Sequence, residues 1–226
     1  MRHAVIWGRR RQGKSTLALA LAIASGKRPI IIFDPCDQYA AWPAVDEELL
    51  EELLDSDFGI ARYSPGGQDP EQAFSNLMLV LDGGVWRWSD YALIIDESSI
   101  LQRPQRLHPA LDRLVRQAPD DILVIQTMHR PSDAHPLVRS LASDYFWFQT
   151  YLARDLEVVE DTWGAEVADE ISRLPSYHLL HFWLDFGGEP RWKIWNDPSI
   201  WYVPLRIQYA GRNQDRESER KPEPAA

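Results

Sequence analysis

The sequence predicts an α/β fold: a mostly parallel central sheet flanked by helices, with a β-hairpin toward the C-terminus. Three observations lead there. Short apolar runs recur at 4–7, 29–33, 91–95, 122–125 and 145–149 with helix-compatible stretches between them, the alternation of a parallel sheet covered on both faces. A G-x-x-x-x-G-K-S octet, residues 8–15, joins the first run to a periodic apolar segment at 17–24. After Thr150 the rhythm changes, and a helical stretch at 155–172 precedes two strand-like runs, 177–186 and 191–195, joined through Gly187-Gly188.

Taken in order, the helices are expected at 14–25, 45–55, 70–82, 107–117 and 135–141. Ser64-Pro65-Gly66-Gly67 and Asp82-Gly83-Gly84 break the pattern between them. A chain of 226 residues suits one α/β domain, placed at 1–210. Residues 211–226 are polar, charged and Pro-containing, and read as a disordered tail.

Composition narrows the class. The 45% apolar and 26% charged content is that of a globular protein, and no apolar run approaches the ~18 residues of a membrane span. Met1-Arg2-His3 leads into the first run without a signal-peptide core, so the chain is expected in the cytoplasm. Cys36 is the lone cysteine and reads as a bystander. The net charge of −10 argues against a uniformly basic nucleic-acid surface, but the charge is segregated. Residues 1–33 carry seven basic and no acidic side chains, whereas 34–58 carry nine acids and no Lys or Arg. The acidic stretch, including Glu47, Glu48, Glu51 and Glu52, reads as a solvated helix face. Any contact with DNA phosphates would come from local basic clusters such as Arg103, Arg106, Arg113 and Arg116.

The chemistry begins at Gly8-Arg9-Arg10-Arg11-Gln12-Gly13-Lys14-Ser15, followed by Thr16. Between a strand and a helix this pattern is a phosphate-binding loop: backbone N–H groups wrap the β-phosphate, Lys14 reaches the β- and γ-phosphates, and the Ser15 hydroxyl ligates Mg²⁺. Leu93-Ile94-Ile95-Asp96-Glu97 is a strand ending in two acids at the same sheet edge. Asp96 is expected to hold Mg²⁺ through its water shell and Glu97 to orient the attacking water, which favours hydrolysis over transfer to a metabolite. The strand at 122–125 should lie between the loop strand and the Asp-Glu strand, making Gln126 the candidate γ-phosphate sensor. His129, in a loop beside Arg130-Pro131, is expected to make only a structural hydrogen bond. Trp86, Trp88, Trp147, Trp163, Trp183, Trp192, Trp195 and Trp201 read as buried or interfacial rather than base-stacking, and Trp7 as core.

Together, Gly8 to Ser15, Leu93-Ile94-Ile95-Asp96-Glu97 and Ile125-Gln126-Thr127 with Arg130-Pro131-Ser132 resemble the FtsK/HerA superfamily of DNA-pumping ATPases. These are phosphate-loop NTPases of the additional-strand, RecA/FtsK-like type, whose strand-four motif commonly reads Thr-Gln-Arg-Pro. Within the superfamily, residues 3–200 are most similar to the genome-packaging ATPases of tailless, membrane-containing double-stranded DNA viruses. One departure is that Thr127-Met128-His129 intervenes between Gln126 and Arg130, which weakens any catalytic role for Arg130.

The resemblance implies an ATP-hydrolysing motor that uses ATP with Mg²⁺, assembles as a homo-oligomeric, hexamer-like ring, and moves double-stranded DNA into a capsid. Capsid or portal-vertex proteins would be its partners, and the host cytoplasm or the packaging vertex its location. It further implies an arginine finger acting on the neighbouring subunit's nucleotide, at Arg116 with Arg113 as rival. Arg154, with Gly164-Ala165-Glu166, would sense the nucleotide and report its state to the C-terminal elements. Residues 98–106, directly after the acid pair, could grip DNA phosphates through Arg103 and Arg106. Two other readings stay open: a conjugation or segregation pump, and an ATP-dependent virion assembly protein that never touches DNA.

Overall fold

The computed structural model describes residues 2–55, 59–82, 90–184 and 189–196. The first half of the chain supplies β1 (Arg2–Trp7), α1 (Lys14–Ala24), β2 (Ile30–Phe33), β3 (Ala44–Val45), α2 (Glu47–Leu54), β4 (Ile60–Tyr63), α3 (Pro70–Asp82) and β5 (Ala92–Ile95). Next come β6 (Gln102–Arg103), β7 (Arg106–Leu107), α4 (Pro109–Gln117), β8 (Leu123–Met128), α5 (Pro136–Leu141) and β9 (Asp144–Phe148). The last elements are α6 (Ala153–Trp163), α7 (Ala165–Arg173), β10 (Leu179–Leu184) and β11 (Pro190–Trp195). Nine strands form one sheet in the order β11-β10-β9-β1-β8-β5-β2-β4-β3, and β6 with β7 forms a separate small hairpin. Pairing from β9 across to β3 is parallel, while β10 runs antiparallel to both β9 and β11.

Both faces of the sheet are covered, so its central strands are apolar throughout rather than alternating. On one face α1 buries Leu17, Ala18 and Leu21 against Ala4, Ile6, Ile30, Ile32, Ala92, Ile94 and Ile125. On the other, α2, α3 and α4 set Leu50, Phe74, Leu77, Leu111 and Leu114 against Ile31, Phe33, Leu93, Ile95 and Val124. Further along that second face, α5, α6 and α7 cover Val5, Trp7, Met128 and Trp147 with Val138, Val159 and Ile171. Trp7, Trp147 and Trp195 are buried, Trp163 and Trp192 pack at the edge of the same aromatic region, and Trp183 is half-buried. Trp86, Trp88, Trp201, Gly83-Gly84, Gly187-Gly188 and the 211–226 tail lie outside the described residues.

Among the differences from the sequence reading, four have a clear local reason. The helix expected from 45 starts at Glu47 because the Asp46 carboxylate caps it, accepting the Leu49 N–H at 2.9 Å. The helix expected from 107 begins at Pro109, whose ring suits the first helical position, and leaves Leu107 in β7. The stretch at 155–172 is two helices, broken where Gly164 adopts φ 100°. Finally, β4 is an unanticipated strand, since Arg62 in its middle is buried and donates to the buried Asp34 carboxylate at 2.8 Å.

Candidate nucleotide site

The loop between β1 and α1 leaves the sheet at Gly8, whose N–H donates to Met128 O at 3.2 Å. A side chain there would meet Phe148 Cβ of β9 at 2.9 Å, so the close approach requires glycine. Arg11 (φ 66°) and Gly13 (φ 98°) take left-handed conformations that turn the backbone toward the start of α1. Gln12 braces the turn: its Oε1 accepts the Arg9 N–H at 2.5 Å and its Nε2 donates to Gln149 O at 3.3 Å. Arg9, Arg10, Arg11 and Thr16 are exposed, with the Arg9 guanidinium 3.9 Å from the centre of the Tyr151 ring. Tyr39 OH donates to Ser15 O at 3.1 Å and fixes the first turn of α1 from the β2 side.

Lys14 is buried, and its ammonium lies 3.3 Å from Arg9 O and 3.2 Å from His129 Nδ1. Burial lowers its pKa, opposed by the nearby carboxylates of Glu97 and Asp96. Asp96 follows the end of β5 and faces α1. Its Oδ1 accepts from Thr127 Oγ1 at 2.8 Å and from Ser15 Oγ at 3.3 Å. Its Oδ2 is buried without a hydrogen-bond partner. Burial is the main reason the carboxyl is pushed up to about 6, with the Thr127 hydrogen bond pulling the other way.

An orphaned buried carboxylate oxygen next to a serine hydroxyl fits a hard divalent cation. Magnesium characteristically takes few protein ligands and keeps several waters, which suits a site of Ser15 and Asp96 alone. Among the described residues there is no group of three or more His, Cys, Asp and Glu side chains that could hold a metal.

Glu97 takes a left-handed backbone conformation (φ 48°, ψ 47°), unusual for a non-glycine residue and common at functional positions. Its N–H donates to Thr127 Oγ1 at 3.1 Å, and its Oε1 lies 2.9 Å from His129 Nε2. Lys14, Ser15, Asp96 and Glu97 are therefore together at one sheet edge, joined by Thr127 and His129 of the β8 end, to neither of which the sequence reading gave a role in the site.

Gln126 is not brought to the loop. Adjacent strand residues face opposite sides of a sheet, and Gln126 shares the face of Val5 and Trp7, away from α1. There its amide donates to His3 Nε2 at 2.8 Å, while its Oε1 accepts from Gln102 Nε2 at 2.9 Å. Gln102 Nε2 also donates to Ser98 Oγ at 3.2 Å, and its Oε1 accepts the His135 N–H at 2.9 Å. The γ-phosphate sensor expected at Gln126 is corrected on this ground: a side chain committed on the far face does not reach the phosphate loop.

The candidate arginines are carried by α4, α6, the segment after β8 and the β6–β7 hairpin. Arg116 on α4 is half exposed and pairs with Asp112 at 2.7 Å, one helical turn away. Arg113 pairs with the buried Asp82 at 2.9 Å. Arg154 is exposed in the first turn of α6, and Arg130 pairs with the buried Asp155 of the same helix at 3.2 Å. Arg103 and Arg106 face each other across the β6–β7 hairpin, which a single 3₁₀ turn (Ser98–Ile100) joins to Glu97. Arg103 donates to Ser99 O, and Arg106 pairs with Glu71.

No protein-family model matches the chain, and no curated protein matches it in sequence. Solved structures do match. The genome packaging NTPase B204 of Sulfolobus turreted icosahedral virus 2 in complex with ATP-gammaS aligns at 21% identity, covering 84% of this chain and 95% of that one, with a TM-score of 0.68. Its complex with AMPPCP aligns at 22% identity over 84% and 96%, TM-score 0.67. B204 from Sulfolobus Turreted Icosahedral Virus, described as a DNA-packaging ATPase, aligns at 22% over 84% and 96%, TM-score 0.64. The chain thus has the α/β fold of the phosphate-loop NTPases and in fold resembles B204 over most of its length.

Proposed function

We propose that this chain is an ATP-hydrolysing motor of the FtsK/HerA type, a single ATPase domain over residues 1–210 that works as a homo-oligomeric, hexamer-like ring and moves double-stranded DNA into a viral capsid. The observation that carries the reading is the meeting of Lys14, Ser15, Asp96 and Glu97 at one sheet edge, on a fold shared with a protein described as a genome packaging NTPase.

In this reading the loop from Gly8 to Thr16 cradles the phosphates with its backbone N–H groups, and Lys14 turns its ammonium onto the β- and γ-phosphates. Ser15 and Asp96 hold Mg²⁺, which when bound neutralises charge on the phosphate oxygens. Glu97 orients the attacking water and polarises it toward the γ-phosphorus. Arg116 serves the neighbouring subunit as arginine finger. Its exposed pairing with Asp112 is worth only about 0.3–0.5 kcal/mol and is readily given up, whereas Arg113 is committed to a buried carboxylate. Arg154 relays the nucleotide state toward α6, α7 and the terminal strands. Arg103 and Arg106, directly opposite each other, gain from an anion between them, which suits contact with a DNA phosphate. Host cytoplasm and the packaging vertex, with capsid or portal proteins as partners, follow from this role.

The net charge of −10 favours a second reading, an ATP-dependent virion assembly protein that acts on protein alone. One experiment separates the two: Mg²⁺-dependent ATP hydrolysis with and without long double-stranded DNA, against a Lys14→Ala blank expected to fall about a hundredfold or more. Stimulation by DNA supports the motor. DNA-indifferent hydrolysis supports the assembly protein, and hydrolysis no faster than the blank defeats both.

A further inference from the structure

We infer that His129 is a positioning residue: it holds the Glu97 carboxylate and ties it to the ammonium of the phosphate-loop lysine. The kinetic part of this inference rests on the ATPase reading above; the contact itself does not. The imidazole stands between the two groups, with Nδ1 3.2 Å from Lys14 Nζ and Nε2 2.9 Å from Glu97 Oε1. An ammonium only donates, so Nδ1 must present its lone pair; a neutral ring then carries its hydrogen on Nε2, pointing at the carboxylate. The result is a directional chain from Lys14 through His129 to Glu97. A third contact, Nδ1 to Gly8 O at 3.3 Å, would need the opposite tautomer and competes with the ammonium.

The strand explains the placement. Thr127 and His129 are two residues apart and project from the end of β8 toward α1, with the register held by Gly8 N–H on Met128 O. Thr127 takes the Glu97 N–H and His129 takes its side chain, so both ends of a residue in a left-handed conformation, which costs about 1–3 kcal/mol, are gripped from one neighbouring strand. When a triphosphate draws the Lys14 ammonium away, Nδ1 loses its donor at the moment the site fills. The residue that positions Glu97 is thereby sensitive to whether Lys14 is engaged.

The test is steady-state ATP hydrolysis by His129→Ala, His129→Gln, Glu97→Gln and the His129→Ala/Glu97→Gln double variant, with ¹⁵N NMR of the His129 ring in the nucleotide-free protein. We expect His129→Ala to lower kcat by about tenfold to a hundredfold with KM within about twofold. His129→Gln, which keeps one acceptor and one donor, should recover most of the loss, and in the Glu97→Gln background His129→Ala should cost nothing further. Wild-type kcat in His129→Ala, an equal loss in the Glu97→Gln background, or no rescue by Gln would each overturn the inference. The spectrum should show the Nε2–H tautomer, with the Nδ1 signal displaced in Lys14→Ala; an Nδ1–H tautomer in the wild type overturns it whether or not the protein hydrolyses ATP. Wild-type hydrolysis at the level of the Lys14→Ala blank would instead defeat the ATPase reading, leaving the spectrum to decide the contact.

Discussion

Both faces of the sheet at the end of β8 are polar, yet they are polar in different ways. On the α1 face, Ser15, Asp96, Thr127 and Glu97 leave a buried carboxylate oxygen unpartnered and a backbone in a left-handed conformation. On the opposite face, Gln126 and Gln102 join a network with Ser98, His3 and the His135 N–H in which both glutamine oxygens are occupied and the unpartnered atom is a ring nitrogen, His3 Nδ1, rather than a carboxylate oxygen. Neighbouring residues of one strand, Gln126 and Thr127, thus serve different purposes. The first set, with its unpartnered carboxylate oxygen, suits the proposed cation, while the second is spent on side-chain contacts within the fold.

The sharpest way to break this contrast is to compare Thr127→Val with Gln126→Leu. Thr127→Val keeps shape and removes the hydroxyl that touches both Asp96 and Glu97, so kcat for ATP should fall by about tenfold to a hundredfold, with little change in Tm. Gln126→Leu should instead cost about 1–3 kcal/mol of stability in urea unfolding and leave hydrolysis per folded molecule near wild type. Equal losses of hydrolysis in both variants would return the sensor role to Gln126.

A second test uses acid. His3 is fully buried in the second network, and burial lowers its pKa from 6.5 to about 4 against the opposing pull of Asp144. Between those values the unfolded chain binds a proton that the folded chain does not. The stability from neutral His3 is therefore complete above pH 6.5 and lost as pH falls toward 4. Asp96, pushed up to about 6, works the other way in the same window, so the readout is a difference: the wild-type urea midpoint should fall relative to that of His3→Gln as pH drops from 6.5 to 4. A difference between the two that stays constant from pH 7 to 4 would mean that burial does not hold His3 neutral.

The smallest effect concerns DNA, away from both networks. Removing Arg103 and Arg106 together should reduce the slope of log affinity against log salt by about 2, measured by fluorescence anisotropy on duplex DNA. An unaltered slope would detach the hairpin from the proposed grip.

Much of the site was legible because its parts obey local rules. The glycine-lysine octet sits between strand and helix, and β5 ends at Ile95, directly before Asp96. The position of β8 between β1 and β5 also agrees with the sequence reading. What could not be read was the direction in which β8 side chains project. A central parallel strand is apolar on both faces, so 122–125 carries no alternation to say whether Gln126 or Thr127 turns toward α1. His129 was hidden for a related reason, since its partners Lys14 and Glu97 are 115 and 32 positions away in sequence. Arg62 concealed β4 because its burial depends on Asp34, a partner just past the end of β2.

Trp7 immediately precedes Gly8, and its indole stacks on Trp147 with ring centres 5.3 Å apart and meets the edge of Trp163 at 5.5 Å. The indole nitrogens of Trp7 and Trp147 are buried without hydrogen-bond partners, so both rings lie in a dry, apolar setting where small displacements alter emission. If the phosphate loop takes up nucleotide as proposed, covalent attachment to this cluster makes intrinsic emission a gauge of it, read as the part of the signal that Trp7→Phe removes.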